Sequence, residues 1–96
     1  MPEILALAKE AASAAIEKKA KNVVILKMGE VTIITDYFVI ASAANKNQAQ
    51  AIAESVEKAM DAKGVKRLSR EGLKEARWVL LDYGNVVIHI FQEEVR

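Results

Sequence analysis

Asp82 and His89 are the two residues of this chain whose types and spacing could carry proton-transfer chemistry. They flank Gly84-Asn85, a dipeptide that adopts positive φ at little cost and closes a two-residue β-hairpin. In such a hairpin the two side chains lie diagonally across from each other, with Cα atoms roughly 7–8 Å apart. A hydrogen bond between them would form a general-base dyad. The commoner alternative, which we favour, is that Asp82 orients or solvates His89 on a binding surface.

The hairpin sorts its side chains onto two faces, because successive residues of a strand point in opposite directions. The turn predicts a register that sets Leu80 opposite His89 and Trp78 opposite Phe91. One face is nearly all hydrocarbon and is predicted to be core: Val79, Leu81, Tyr83, Val86, Ile88 and Ile90. The other face mixes aromatic, acidic and imidazole groups: Trp78, Leu80, Asp82, Val87, His89 and Phe91. Trp78 could be core filler or an interface anchor, and the polar company on its face favours an anchor.

The remaining candidate groups do not assemble into a catalytic motif. Cysteine is absent and His89 is the one histidine, so neither a thiolate site nor a histidine metal cluster is expected. The four glycines are isolated, unlike those of P-loop and Rossmann phosphate cradles. Asp36 is either a functional carboxylate or, more commonly at such a position, a turn cap. Glu71 is expected to be a solvated charge near a sheet edge. We therefore predict no catalytic residue, no metal and no cofactor.

The chain has 96 residues and a formal net charge of +1. We interpret it as one domain over residues 1–96. Proteins that bind a phosphate backbone usually carry a clear basic excess. The lysines at hand, Lys18, Lys19 and Lys21, are better placed to complement the dipole at the end of the first helix. No segment approaches the ~20 apolar residues of a membrane span, and no signal-peptide pattern is found. We expect a cytoplasmic protein with no membrane partner and little direct nucleic-acid binding.

Hydrophobic periodicity predicts the order helix, two strands, helix, three strands. The first helix is expected from Ile4 to about Ala20, and the second from the N-cap Asn45 to Gly64, with Gln48 completing a capping box. The strands are expected at Val23–Met28, Ile33–Ser42, Val65–Arg70 and the two arms of the hairpin. The near-continuous aliphatic run of the first strand is typical of a central strand covered on both sides. Two helices cannot easily cover both faces of five strands, so we predict a two-layer α/β fold whose mixed sheet is open only at the hairpin end.

Three segments together carry a family resemblance: Ile34-Thr-Asp-Tyr-Phe-Val-Ile-Ala-Ser42, then Glu71-Gly72, then Trp78-Val-Leu-Leu-Asp-Tyr-Gly-Asn-Val-Val-Ile-His-Ile-Phe91. They strongly resemble the ribosomal silencing factor S family, also called the iojap/YbeB type, over the region from the first helix to Arg96. The positions that match the family are Asp36, Trp78, Asp82, Tyr83, Gly84 and His89. Asn85 stands where family members commonly have Asp, which preserves the turn chemistry. Family members usually continue into a further short helix, so we expect part of the usual docking surface or its support to be absent from this sequence.

The resemblance implies a nucleotidyltransferase-like fold that has lost catalysis. It also implies docking on the fourteenth protein of the large ribosomal subunit, and prevention of subunit joining when nutrients are scarce. The residues agree, because nucleotidyl transfer needs a Gly-Ser segment and paired carboxylates, whereas Phe38 stands where Asp36 would need its partner. We predict a ribosome-associated translational repressor, not an enzyme, with partner-binding residues Trp78, Asp82, Tyr83, His89, Asp36 and Glu71. A divergent nucleotide-dependent transferase and a small homodimeric interaction module stay open as alternatives.

Overall fold

In the part of the chain that the structure describes, two helices and five strands follow one another in the order predicted from the sequence. The computed structural model describes residues 3–30 and 35–95. The elements are α1 Ile4–Glu17, β1 Lys21–Lys27, β2 Tyr37–Ala43, α2 Lys46–Ala62, β3 Ser69–Glu71, β4 Trp78–Asp82 and β5 Val86–Gln92. The predicted start of the second strand at Ile33 lies outside the described residues. Neither described helix is long and apolar enough to cross a membrane.

The five strands form one mixed sheet in the spatial order β1-β2-β5-β4-β3. Strands β2 and β5 run parallel, while the other three pairs are antiparallel. The hairpin register is the predicted one, with Trp78 opposite Phe91 and Leu80 opposite His89. Tyr83 closes the turn by donating its backbone N–H to the carbonyl of Val86 at 2.9 Å. The mixed five-stranded sheet and its two helices are therefore confirmed.

Strand β1 does not lie in the middle of the sheet, so the prediction of a central, doubly covered strand is wrong. It pairs with β2 alone and forms one edge of the sheet. Val24 and Leu26 are 40% and 42% exposed, although both belong to the aliphatic run that suggested burial. The physical reason is that helices cover only one face of this edge strand. Lys21 and Lys27 lie at its two ends, where charged side chains discourage pairing with another chain.

Both helices pack against the same face of the sheet and against each other. Alanines on α1 allow this close approach, and the buried face of α2 consists of Ala49, Ile52, Ala53, Val56 and Met60. Ile16 is 57% exposed, because the buried face of α1 includes Leu7 and Ala14 but not Ile16. The larger fully buried side chains come from α2 and the covered face of the sheet: Ile52, Met60, Leu81, Ile88, Ile90, Val39, Val56 and Val79.

The start of α2 is fixed by the predicted cap. Asn45 Oδ1 accepts a hydrogen bond from the backbone N–H of Gln48 at 2.8 Å. The Gln48 side chain accepts from the N–H of Ala44 and donates to the carbonyls of Lys18 and Lys19. This one glutamine therefore ties the end of α1 to the beginning of α2, which holds the helical layer together on one side of the sheet.

Candidate functional site

The sheet face opposite the helices extends from β1 to β3 and is the candidate functional site. The prediction that the open region is confined to the hairpin end is wrong, because β1 and β2 contribute to it as well. Strand pairing places these side chains on that face: Val24, Leu26, Phe38, Ile40, Val87, His89, Phe91, Trp78, Leu80, Asp82 and Glu71. We call this set the open face. It is mainly apolar and aromatic, with two carboxylates on the β3–β4 side.

Trp78 is the most exposed aromatic side chain of the open face, at 51%. Its indole lies nearly parallel to the ring of Phe91, with centroids 5.4 Å apart and an interplanar angle of 20°. Its Nε1–H donates to Nδ1 of His89 at 3.1 Å. Trp78 thus keeps one side against neighbouring rings and presents the other outward, which is the arrangement expected of an interface anchor.

His89 is 9% exposed and lies within a cluster of rings. Phe38 approaches it edge-on, with centroids 4.6 Å apart, and Phe91 lies almost parallel to it. Burial lowers the pKa of its imidazole below the ordinary value of 6.5. Because Nδ1 accepts the Trp78 hydrogen bond, the neutral ring carries its proton on Nε2. That Nε2 atom has no hydrogen-bond partner among the described residues.

Asp82 and His89 are not hydrogen-bonded to each other, so the less favoured dyad is not formed and the favoured prediction that Asp82 orients His89 is wrong. Asp82 Oδ1 instead accepts the backbone N–H of Gly84 at 2.8 Å, so this carboxylate caps the hairpin turn. The Nδ1 atom of His89 is engaged by Trp78. Asp82 and His89 nevertheless line one cavity of about 420 Å³, together with Met28, Thr35, Phe38, Glu71, Leu80 and Val87. The cavity combines apolar walls with two carboxylates and contains no lysine or arginine among these lining residues.

Two of the predicted partner-binding residues lie away from the open face. Tyr83 is 8% exposed and points to the helix side. Its pKa is raised to about 12, first by burial and then by the Glu57 carboxylate. Asp36 lines a separate cavity of about 260 Å³ that includes residues of α1, such as Ile4. The structure therefore brings together Trp78, Glu71, Asp82 and His89, whereas Tyr83 and Asp36 lie elsewhere; the partner-binding role of all six residues stays a prediction.

Comparison with known proteins identifies the family. The whole chain, residues 1–96, matches the family described as ribosomal silencing factor during starvation. The chain belongs to this family. The ribosomal silencing factor RsfS of Bacillus subtilis is 39% identical over 88 residues, which cover 92% of this chain and 75% of that protein. The RsfS of Halalkalibacterium halodurans is 40% identical over 86 residues, covering 90% of this chain and 74% of that protein. The chloroplastic Iojap protein of Arabidopsis thaliana is 35% identical over 89 residues, covering 93% of this chain and 37% of its own length.

Solved structures agree with this family assignment. A crystal structure of a Bacillus halodurans protein superimposes with a TM-score of 0.89 at 37% identity, covering 96% of this chain and 86% of that one. A Chromobacterium violaceum protein gives a TM-score of 0.92 at 30% identity, covering 95% of this chain and 76% of that one. The resemblance to silencing factors and Iojap proteins inferred from the sequence is thus confirmed.

Several residues of the open face in this silencing-factor chain were not singled out by sequence reasoning. Val24 and Leu26 belong to the strand that the sequence pattern predicts to be covered on both sides, and the sequence identifies Phe38 only as the residue where a carboxylate partner of Asp36 would stand. The lysines at both ends of β1 were the available signal, since edge strands commonly carry them. Within residues 3–30 and 35–95, no group of three or more Asp, Glu, His or Cys side chains is arranged to hold a metal ion.

Proposed function

We propose that this protein represses translation by binding the large ribosomal subunit through its fourteenth protein and sterically blocking subunit joining, especially under nutrient limitation. Membership of a family named for ribosome silencing during starvation supports the general role. The observation that carries the specific proposal is the helix-free face with a half-exposed tryptophan, Trp78, held at its surface. Central aromatic anchors of this kind dominate the energy of many protein interfaces.

The charges at the border of the open face support a basic partner. Glu71 is exposed on β3, and Asp82 is partly exposed on β4, diagonally across from Glu71 and two residues after its partner Leu80. Ribosomal proteins are commonly basic, so these carboxylates would meet lysine or arginine side chains at the rim. Glu71→Arg should slow association with the large subunit, whereas Glu93→Arg, an exposed charge after the end of β5, should have little effect. Equal effects of the two variants in stopped-flow association would argue against a rim contact at Glu71.

We also propose that the protein has no catalytic activity and needs no cofactor. The support is chemical: Asp82 is used as a turn cap, and Asp36 lies apart from the open face. Calorimetry with ATP, CTP and GTP in the presence of Mg²⁺ should give no saturable heat. A micromolar nucleotide site would instead favour the divergent transferase.

Direct nucleic-acid binding should be weak, and we place the protein in the cytoplasm, associated with ribosomes. The net charge of +1 supplies little general attraction to phosphate. The candidate lysines lie away from the centre of the open face: Lys18 and Lys19 follow the end of α1, and Lys21 begins β1. The backbone carbonyls of Lys18 and Lys19 accept hydrogen bonds from the Gln48 side chain of α2. Naked ribosomal RNA should therefore compete poorly for the protein.

Occlusion can be tested by using light scattering to monitor the joining of large and small subunits. The protein is added to large subunits before small subunits in one arm, and to joined ribosomes in the other. Addition before joining should reduce the yield of joined ribosomes, because the docked protein would occupy the joining surface. Equal yields with and without the protein would contradict the proposal. A homodimer formed through the open face would dissociate on addition of large subunits, whereas a dimer unaffected by them would favour the interaction-module alternative.

A further inference from the structure

The contact between Trp78 and His89 links the exposed anchor of the open face to a buried, titratable group. Trp78 Nε1 and His89 Nδ1 are 3.1 Å apart, within ordinary hydrogen-bond distance. The donor ring is 51% exposed, while the acceptor ring is 9% exposed and surrounded by Phe38 and Phe91. The half-exposed indole is therefore hydrogen-bonded to an imidazole whose position is fixed by the packing around it.

We propose that His89 is a positioning residue, which holds the Trp78 indole in its docking orientation by accepting its Nε1–H, and which does so only while the imidazole is neutral. This inference rests on the proposed function for its consequence in binding. The contact itself can be tested on the free protein.

An exposed tryptophan without this bond would be free to sample about three staggered χ1 conformations. If one of them fits the partner, the competent fraction falls to about one-third, and the apparent Kd rises roughly threefold. Ordering the side chain before binding avoids this loss, which is the usual benefit of preorganisation. The Phe91 ring limits the indole from one side, so His89 supplies the directional part of the restraint.

Protonation of His89 would break the contact. Nδ1 would then carry a hydrogen of its own, and two N–H donors would face each other across the same gap. The carboxylates that share the cavity with His89 are Glu71 on β3 and Asp82 on β4. The groups on β2 and β5 that pack against the ring, Phe38 and Phe91, are uncharged. Burial lowers the pKa of His89 below its ordinary value, so at neutral pH the imidazole is an acceptor, and acidification releases the indole.

The indole and imidazole signals can each be assigned to a single residue, because the chain contains one tryptophan and one histidine. We would record the indole Nε1–H resonance of the free protein by NMR while lowering the pH, and measure its exchange with solvent. In the wild type, the resonance should shift with the titration midpoint of His89, and exchange should accelerate below that midpoint. An indole signal that ignores the His89 titration would overturn the proposal.

Two substitutions separate the acceptor from the bulk of the ring. His89→Asn retains an acceptor near the position of Nδ1 without titrating in this range, so the protected indole resonance should persist at all these pH values. His89→Phe retains an aromatic ring without an acceptor, so protection should be lost at neutral pH. If His89→Phe keeps the wild-type resonance and exchange rate, the positioning role is wrong. If that variant fails to fold, the comparison of wild type with His89→Asn decides the question.

The binding arm uses purified large ribosomal subunits. His89→Phe should raise Kd about threefold at neutral pH, whereas His89→Asn should remain near the wild-type value. Below the His89 midpoint the wild type should weaken relative to His89→Asn, which corrects for effects of pH on the ribosome. Unchanged binding by His89→Phe would refute the positioning role in docking. Failure of the wild type to bind large subunits at all would refute the proposed function, while the NMR arm would still decide whether His89 positions Trp78.

Discussion

Replacing Trp78 with alanine should weaken binding to the large ribosomal subunit by about 2.5 kcal/mol and leave the protein folded. A tryptophan side chain buries roughly 200 Å² when fully covered. Since Trp78 is 51% exposed in the free protein, about 100 Å² remains to be covered on docking, worth about 2.5 kcal/mol at ~25 cal/mol per Å². That free energy corresponds to a rise in Kd of roughly 70-fold.

The cost of Trp78→Ala to folding should be smaller than that of a core substitution. The variant loses the hydrogen bond to His89, worth about 1 kcal/mol, and its contact with the Phe91 ring, worth about 1 kcal/mol. Ile88→Asp, by contrast, places a carboxylate where the side chain is 0% exposed, and it should unfold the protein. Ile16→Ala is the matched surface control, because Ile16 is 57% exposed on the helical layer.

The assay combines thermal melting with equilibrium binding to large subunits for all four proteins. Trp78→Ala should melt as a folded protein and bind weakly, while Ile16→Ala should bind like the wild type. If Trp78→Ala melts as badly as Ile88→Asp, Trp78 belongs to the core and the assignment of faces is wrong. If Trp78→Ala stays folded and binds at full strength, the docking site lies elsewhere.

Three further predictions concern stability. The unfolded chain takes up a proton on His89 near its ordinary pKa of 6.5, while burial delays uptake in the folded state; the free energy of unfolding should therefore fall below that pH, by at most about 1.4 kcal/mol per pH unit. Calorimetric melts of wild type and His89→Asn should diverge there, and parallel curves would contradict the burial of His89. Gly72→Ala should lower the melting temperature well below that of Gly64→Ala: both glycines have positive φ, but a Cβ at Gly72 would overlap the Trp78 carbonyl, whereas Gly64 has open space. Tyr83 should ionise at about pH 12, so stability should be lost as pH rises above the ordinary value of 10; Tyr83→Phe should remove the late step in tyrosinate absorbance, and an unchanged titration would contradict the burial of the Tyr83 hydroxyl.

The register and the two faces of the hairpin could be predicted from the sequence because the turn determines both. A two-residue connection determines the register, and strand alternation then assigns every side chain to a face. The N-terminal cap of α2 could also be predicted, because Asn45 and Gln48 are only three residues apart in the sequence. Such features are local, and the chain offers few alternatives to them.

The partner of His89 could not be predicted from the register. His89 lies opposite Leu80, and Trp78 and Asp82 are the two residues on either side of Leu80 on the same face. Both diagonals are equivalent in the sequence pattern. In the structure His89 Nδ1 accepts from Trp78 Nε1, while Asp82 Oδ1 accepts from the Gly84 N–H.

The edge position of β1 could not be predicted for a different reason. Its aliphatic run is compatible with burial on two sides or with one half-buried and one exposed side. The choice depends on which strand lies beyond it, and this follows from the long-range parallel pairing of β2 with β5. The position of Val24 and Leu26 on the open face therefore depends on the strand order, which the pattern of β1 alone does not determine.

The most direct test of the central claim is co-sedimentation with separated ribosomal subunits. Purified protein would be mixed with large or small subunits, with and without excess naked ribosomal RNA, and the pellets compared. We predict that the protein pellets with the large subunit alone, that RNA does not displace it, and that a smaller fraction of Trp78→Ala pellets at the same subunit concentration. Pelleting with the small subunit, or displacement by RNA, would contradict docking of the open face on a protein of the large subunit.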